Sequence, residues 1–255
     1  MNKKLQDFLI YKTPLGLLRT IWNCRVKSHT QSNENAILLR LTACVKHPKT
    51  FVEFGFNAHE FNCIGLVKTY SGLLIDGDER TIAIARRALP SSVEAMTRFL
   101  TLDSLSIVEE KYPVGSLGIL SVDVDGNDYW FLERLIHLRP SIISVEYNAS
   151  FGKRHIVIPY DPEFIRANYH HTGWYHGASL SAMAYLCGKH SYDLVAVSGG
   201  GTNAFFVRSD LRDSSLPKLS ADEAFRENIL RNQWSGTNAE DQWNAVRGMP
   251  YVNVG

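Results

Sequence analysis

The sequence predicts an α/β fold in which a mostly parallel sheet carries helices on both faces. Three observations lead there. Short β-branched runs (TFVEF from Thr50, GLLI from Gly72, ILSVDV from Ile119, IISV from Ile142) alternate with stretches of helical apolar spacing. Such alternation needs crossover connections, and these bury parallel strands from both sides. Acidic residues gather where these runs end, at Asp76, Asp123 and Glu146. In open α/β sheets the carboxyl ends of the strands form the rim where ligands bind.

The elements follow in order. Residues 1–18 begin basic, but their apolar part is short and is broken by Lys12, Thr13 and Pro14; they read as a surface helix or arm and not as a signal peptide. Residues 33–46 have helical spacing with Asn33 as N-cap, and His47-Pro48 ends them. The strand TFVEF runs into Gly55-Phe56-Asn57 and a helix expected over 58–70, capped by Asn57 with Glu60 completing the box. GLLI ends in Asp76-Gly77-Asp78, where Asp78 caps a helix over 79–89 that Pro90 stops. A third strand is expected over 93–100, then Asp103 and a short helix over 104–111. Next come the strand at 119–124, the turn Asp125-Gly126-Asn127-Asp128, a helix over 129–138 and the strand at 142–145. Residues 149–175 form a long irregular segment, a length that in a compact domain usually marks a lid or binding loop. Ser179 caps a helix over 180–190, and strands at 192–197 and 204–208 flank a glycine-rich hairpin turn. The remainder reads as a helical tail over 220–232 and an irregular end. The organisation is an N-terminal helical segment (1–49), a main domain (50–210) with a substrate-side insertion at about 149–176, and a C-terminal tail (211–255) suited to a dimer arm or a lid.

At 255 residues the chain can bury a sizeable core, and 45% hydrophobic with 21% charged residues is ordinary for a globular protein. A net charge of +1 gives no global case for nucleic acid. No run approaches the roughly 18 apolar residues of a membrane span, so no integral membrane segment is expected. Four scattered cysteines without a CxxC pair fit neither a zinc site nor a disulfide framework, and point to the cytoplasm.

Strand, glycine turn, then an acid some 20 residues on is a nucleoside-binding arrangement. The Gly55 turn lacks GxGxxG, and Phe56 leaves little room for a pyrophosphate. Glu53 stands as an anion where a phosphate would sit, and suits a cationic ligand. VEFG, LLIDGD, the acid at Asp103, SVDVDGNDYW, SVEYN and the closing NAFFVR together resemble the class I S-adenosylmethionine-dependent methyltransferases, in particular the FkbM-like group that includes sugar O-methyltransferases. The resemblance covers roughly residues 50–210. It implies a Rossmann-like, seven-stranded, mostly parallel sheet with a terminal antiparallel hairpin.

By the same resemblance, S-adenosylmethionine lies against Glu53, Gly55, Asn57, Asp76, Asp78, Asp103 and Asp123, with Asp76 on the ribose and Asp103 at the adenine. The reaction it implies is methyl transfer to a sugar hydroxyl of a surface polysaccharide or glycosylated natural product. The acceptor is then a small molecule or saccharide; a homo-oligomer is left open.

The acids at 123–128 exceed what a cofactor needs, and two readings stand. In one, Asp123, Asp125 and Glu146 hold Mg2+ or another divalent cation, which lowers the pKa of the acceptor hydroxyl. In the other, Asp123 touches the cofactor's methionine, Asp125 caps the turn and Asp128 caps the next helix. Asp125, His170, His171 and His176 are the candidate catalytic groups, the histidines as general bases. Trp174 and Tyr175 are candidates to stack on a sugar face. A nicotinamide-dependent oxidoreductase and a catalytically inactive methyltransferase-like binding module are the competing functions.

Overall fold

The computed structural model describes Thr30, residues 32–58 and residues 60–255; the N-terminal arm expected over 1–18 lies outside the described residues. Its centre is a seven-stranded sheet. Strand β1 (Thr50–Phe54) is flanked by β2 (Ser71–Asp76) and β4 (Ile119–Val122); β3 (Val93–Thr97) lies outside β2 and β5 (Ile142–Glu146) outside β4. These five are parallel. The hairpin of β7 (Tyr192–Val197) and β8 (Asn203–Arg208) completes the sheet, with β8 antiparallel to β5. The order β3-β2-β1-β4-β5-β8-β7 reverses direction between β1 and β4. This is the Rossmann-like methyltransferase fold expected from the sequence.

Period-two alternation splits each strand between two cores. Val52, Phe54, Leu73, Leu120 and Val145 meet α3 (Ser106–Lys111), α4 (Asp128–Leu135) and α6 (Leu180–Lys189) on one face. Phe51, Leu74, Ile119 and Ile142 meet α1 (Glu34–Cys44) and α2 (Glu79–Ala88) on the other. Ser179 caps α6 through its hydroxyl, which accepts from Ala182 N–H at 3.1 Å. Asn33 precedes α1 but makes no cap bond; its Oδ1 accepts from Gly199 N–H at 2.7 Å and ties the helix to the hairpin turn.

Among the described residues the long helix expected over 58–70 is absent. A short 3-10 turn, Asn62–Gly65, follows β1 instead. Glu53, 1% exposed, explains this: its carboxylate accepts from the backbone N–H groups of Asn62 (2.7 Å) and Cys63 (2.9 Å), holding the segment against the strand. Asn57 therefore caps no helix and pairs with Glu60 in an isolated bridge.

The segment after β5 is less irregular than its sequence suggests. It contains β6 (Ile156–Val157) and α5 (Arg166–Tyr169), and β6 pairs antiparallel with β9 (Val252–Asn253) at the far end of the chain. The tail is not one helix over 220–232. It forms α7 (Ala221–Ala224), α8 (Ile229–Ser235) and α9 (Ala239–Val246). Phe151, Ile158, Phe164, Tyr175 and Val246 make a third core that joins tail to insertion, with Trp174, Trp243 and Tyr251 packed on it. The expected sugar-stacking role of Tyr175 is thus corrected: its ring is 3% exposed and belongs to this core. Gln242, fully buried, adds polar specificity: it accepts from Ser150 Oγ (2.7 Å) and donates to Asn232 Oδ1 (2.8 Å).

Gly55 has φ +66°, and a Cβ there falls 1.6 Å from the carbonyl oxygen of Asp123. Gly55→Ala is expected to cost at least about 2 kcal/mol through strain and overpacking. That is a fall of roughly 4 °C or more in Tm for a chain of this size, read by thermal denaturation.

Candidate functional site

The reversal of strand order opens a cavity of about 820 Å³ over the carboxyl ends of β1–β4. Glu53, Glu60, Asp76, Asp78, Asp123 and Asp125 line it against one arginine, Arg98.

At the β2 end, Asp76 accepts from Phe56 N–H (3.2 Å) and Asp78 N–H (2.6 Å), so it ties the two strand tips together while facing the cavity. Burial raises its pKa. Asp78 caps α2 by accepting from Arg80 N–H (2.9 Å), and also lines the cavity. Gly55 and Asn57 line it from the β1 turn. Asp103 does not. It is exposed and begins the 3-10 turn Asp103–Leu105, because β3 ends at Thr97 and the chain turns through Arg98–Leu100 first. Phe99, 57% exposed, stands at that tip and lines the cavity, as does Asn203, whose buried Nδ2 has no hydrogen-bond partner. Sequence reading missed both; Asn203 opens β8, and Phe99 lies two residues past the end of β3.

The β4–β5 end is the acidic one. Asp128 is fully buried and accepts from the N–H groups of Val124 (2.7 Å) and Gly126 (2.9 Å). It holds the turn that precedes α4. Asp125, in the left-handed region at φ +58°, is exposed and ion-paired with Arg166 from α5. Asp123, Asp128 and Glu146 bring carboxylate oxygens within 4.8 Å of one another, and Asp125, Glu146 and His176 bring two carboxylate oxygens and a ring nitrogen equally close. The expected ligand trio Asp123, Asp125 and Glu146 is therefore divided between two overlapping groups.

Burial, reinforced by neighbouring carboxylates, moves Asp123, Asp128 and Glu146 the same way. Burial, then Glu146, Asp125 and Asp128, push Asp123 well up. Burial, then Asp125 and Asp128, push Glu146 well up, while Arg166 and Arg231 pull it back. Burial raises Asp128 to about 6 against two backbone hydrogen bonds, and Glu53 to about 7. Arg166 loses from burial, but Asp125 and Glu146 outweigh that and raise its pKa.

None of the three candidate histidines lines the cavity, and two of them, His170 and His171, pack together. Their ring centroids are 4.4 Å apart, and His170 Nδ1 is bonded to Thr172 Oγ1 at 2.8 Å. Clustering in sequence did not fix their direction. His176 is fully buried beside Glu146, with Nδ1 3.7 Å from Oε2. Asn148 is structural: its Nδ2 donates to the carbonyls of Trp174 (2.7 Å) and His176 (2.8 Å), fastening the insertion to β5. Arg231, on α8, also reaches this end, and nothing near it in sequence announces that.

No family model and no curated protein matches the chain. Among solved structures, an O-methyltransferase from Bacillus cereus in complex with SAH is similar at 17% identity, covering 80% of this chain and 94% of that one, TM-score 0.46. A putative O-methyltransferase from Klebsiella pneumoniae is similar at 18%, covering 80% and 93%, TM-score 0.46. A TehB-like SAM-dependent methyltransferase from Corynebacterium glutamicum is similar at 10%, covering 76% and 96%, TM-score 0.40.

Carboxyls raised in the folded state bind protons more tightly there than in the unfolded chain. The stability they contribute is complete below their unfolded values near pH 4, and is lost as pH rises through their folded values, about 6 for Asp128 and about 7 for Glu53. The melting temperature is expected to fall from pH 5 to pH 8, and Glu53→Gln to flatten that slope; a melting temperature rising across this window contradicts the assignment.

Proposed function

We propose that the chain is an S-adenosylmethionine-dependent O-methyltransferase that acts on a hydroxyl of a small, sugar-like acceptor. The acidic cavity carries the reading. Six acidic side chains against one arginine suit a cationic sulfonium cofactor, whose charge favours their ionised form, and oppose a dinucleotide pyrophosphate. The same rim disfavours the competing oxidoreductase: among the described residues no long helix follows β1 whose N-terminus could take a pyrophosphate. Phe56 N–H, the nearest backbone donor of the turn, is already bonded to Asp76.

In this reading Asp76 holds the ribose hydroxyls, Phe99 offers a flat apolar face to the base, and Glu53 and Asp123 complement the positive methionine end. The bound cofactor supplies an electrophilic methyl group. The chain's part is to align an acceptor oxygen with it and exclude water, the source of much of the acceleration in such displacements. The acceptor sits toward Asp123 and Glu146. The sugar assignment rests on the sequence resemblance.

A divalent cation fits the acidic end. Asp123, Asp128 and Glu146 offer hard oxygens, and Glu146 Oε2 is buried with no hydrogen-bond partner. A cation held there would lower the pKa of the acceptor hydroxyl. No described helix is long and apolar enough to cross a membrane, and the three described cysteines are unpaired, as a reducing cytoplasm keeps them.

Calorimetry decides the cofactor. S-adenosylhomocysteine is expected to bind and NAD not; Asp76→Asn should weaken S-adenosylhomocysteine about tenfold or more, the worth of one charge-assisted hydrogen bond. Failure to bind S-adenosylhomocysteine favours the inactive-module reading. A separate titration with Mn2+ is expected to show one site that Glu146→Gln weakens; a chain that binds no Mn2+ excludes the cation.

A further inference from the structure

His176 has its two ring nitrogens in different company. Nε2 lies 3.1 Å from Nη2 of Arg231, and the same guanidinium donates through Nη1 to Asn148 Oδ1 and Ser150 Oγ, both at 2.7 Å. A guanidinium keeps its charge and has only donors. Nε2 must therefore accept, and the single proton of the neutral ring sits on Nδ1. Nδ1 faces Glu146 Oε2 at 3.7 Å; both atoms are buried, and neither has another partner. With Nε2 bare and Nδ1 protonated the ring is neutral, and it is completely buried. In this state His176 has no free lone pair: Nδ1 cannot ligate a cation, and neither nitrogen can take a proton from an acceptor. The grouping of Asp125, Glu146 and His176 is then not a ligand set.

We propose that Arg231 sets the tautomer of His176, and that His176, through its Nδ1–H, orients the carboxylate of Glu146. Arg231 and His176 are positioning residues for Glu146, and the C-terminal helix α8 becomes part of the site. The role given to Glu146 rests on the proposed function; the order Arg231–His176–Glu146 rests on geometry alone. At 3.7 Å the proton on Nδ1 acts on Oε2 as a directed electrostatic contact; a closure of about half an ångström makes it a hydrogen bond that pairs an otherwise unpartnered oxygen and holds the carboxylate in one rotamer. Metal-binding and catalytic side chains are commonly oriented by such outer partners.

Nitrogen-15 NMR of the histidine-labelled full chain tests this, because a protonated ring nitrogen and a bare one have well-separated shifts. His176 is expected as the Nδ1–H tautomer at neutral pH, with or without Mg2+. Arg231→Met should lower the ratio of Nδ1–H to Nε2–H tautomer at least tenfold, whereas Arg231→Lys, which keeps a cationic donor, should hold it. Glu146→Ala should keep the tautomer but move the Nδ1 proton signal upfield. Calorimetry with S-adenosylhomocysteine reports the integrity of each variant: Arg231→Met is expected within twofold of the parent, since Arg231 lies outside the cofactor cavity. A wild-type ring protonated at Nε2 or at both nitrogens overturns the proposal, as does a folded Arg231→Met chain with an unchanged ratio. A chain that shows the expected tautomer yet binds no S-adenosylhomocysteine leaves the relay standing and removes the methyltransferase reading instead.

Discussion

The tips of β1 and β4 come together so closely that residue 55 cannot carry a side chain. The rest of the site follows from that approach. It brings the Gly55 turn against the Asp123 carbonyl, so the acid-rich turn after β4 and the glycine turn after β1 share one rim. The reversal of strand order at the same place keeps helices from covering the rim, and the cavity opens there. A parallel sheet fixes all these tips at one edge. Each strand's polar terminus is therefore delivered to the cavity by the register of the sheet, without any loop having to find it.

Much of the frame was legible in the chain. The five parallel strands, the antiparallel hairpin and the caps at Asp78 and Ser179 depend on local signals: period-two apolarity, a side-chain acceptor before a helix, proline stops. Asp76 was legible for the same reason, since a residue that ends a strand has only one place to go. Three things were not. The helix expected after Asn57 gave way to a short turn because Glu53, inside the strand, takes two of the segment's backbone donors; a buried carboxylate overrode local propensity. Asp103 missed the cavity because β3 stops three residues before Leu100, and strand ends are set by pairing with β2. His170 and His171 sit in the right segment but turn away, and side-chain direction in an irregular stretch has no period to read.

The acidic end shows how a crowded set of like charges is tolerated in a folded chain. Asp128 spends both oxygens on backbone N–H groups. Asp125 is exposed and paired. Two arginines from distant segments, Arg166 and Arg231, offset Glu146. None is adjacent in sequence to the acids it balances, so the electrostatics of this end are a tertiary property and not a motif. Burial first, and the neighbouring carboxylates after it, raise the pKa values of Asp123, Asp128 and Glu146, and a bound cation would favour their ionised forms.

The pairing of β6 with β9 ties the residues around position 156 to those around 253. During synthesis the seven sheet strands are complete once residue 208 has emerged, and N-terminal parts of a chain generally fold first. The insertion must then wait, with its aromatic core open, until α9 and β9 have left the ribosome. The segment made after the sheet thus closes the insertion and brings Arg231 to His176. A chain cut short between residues 210 and 230 would keep the seven strands and the β1–β3 end of the cavity while lacking the support of its acidic end, so the residues beyond 210 are a condition for assembling the site.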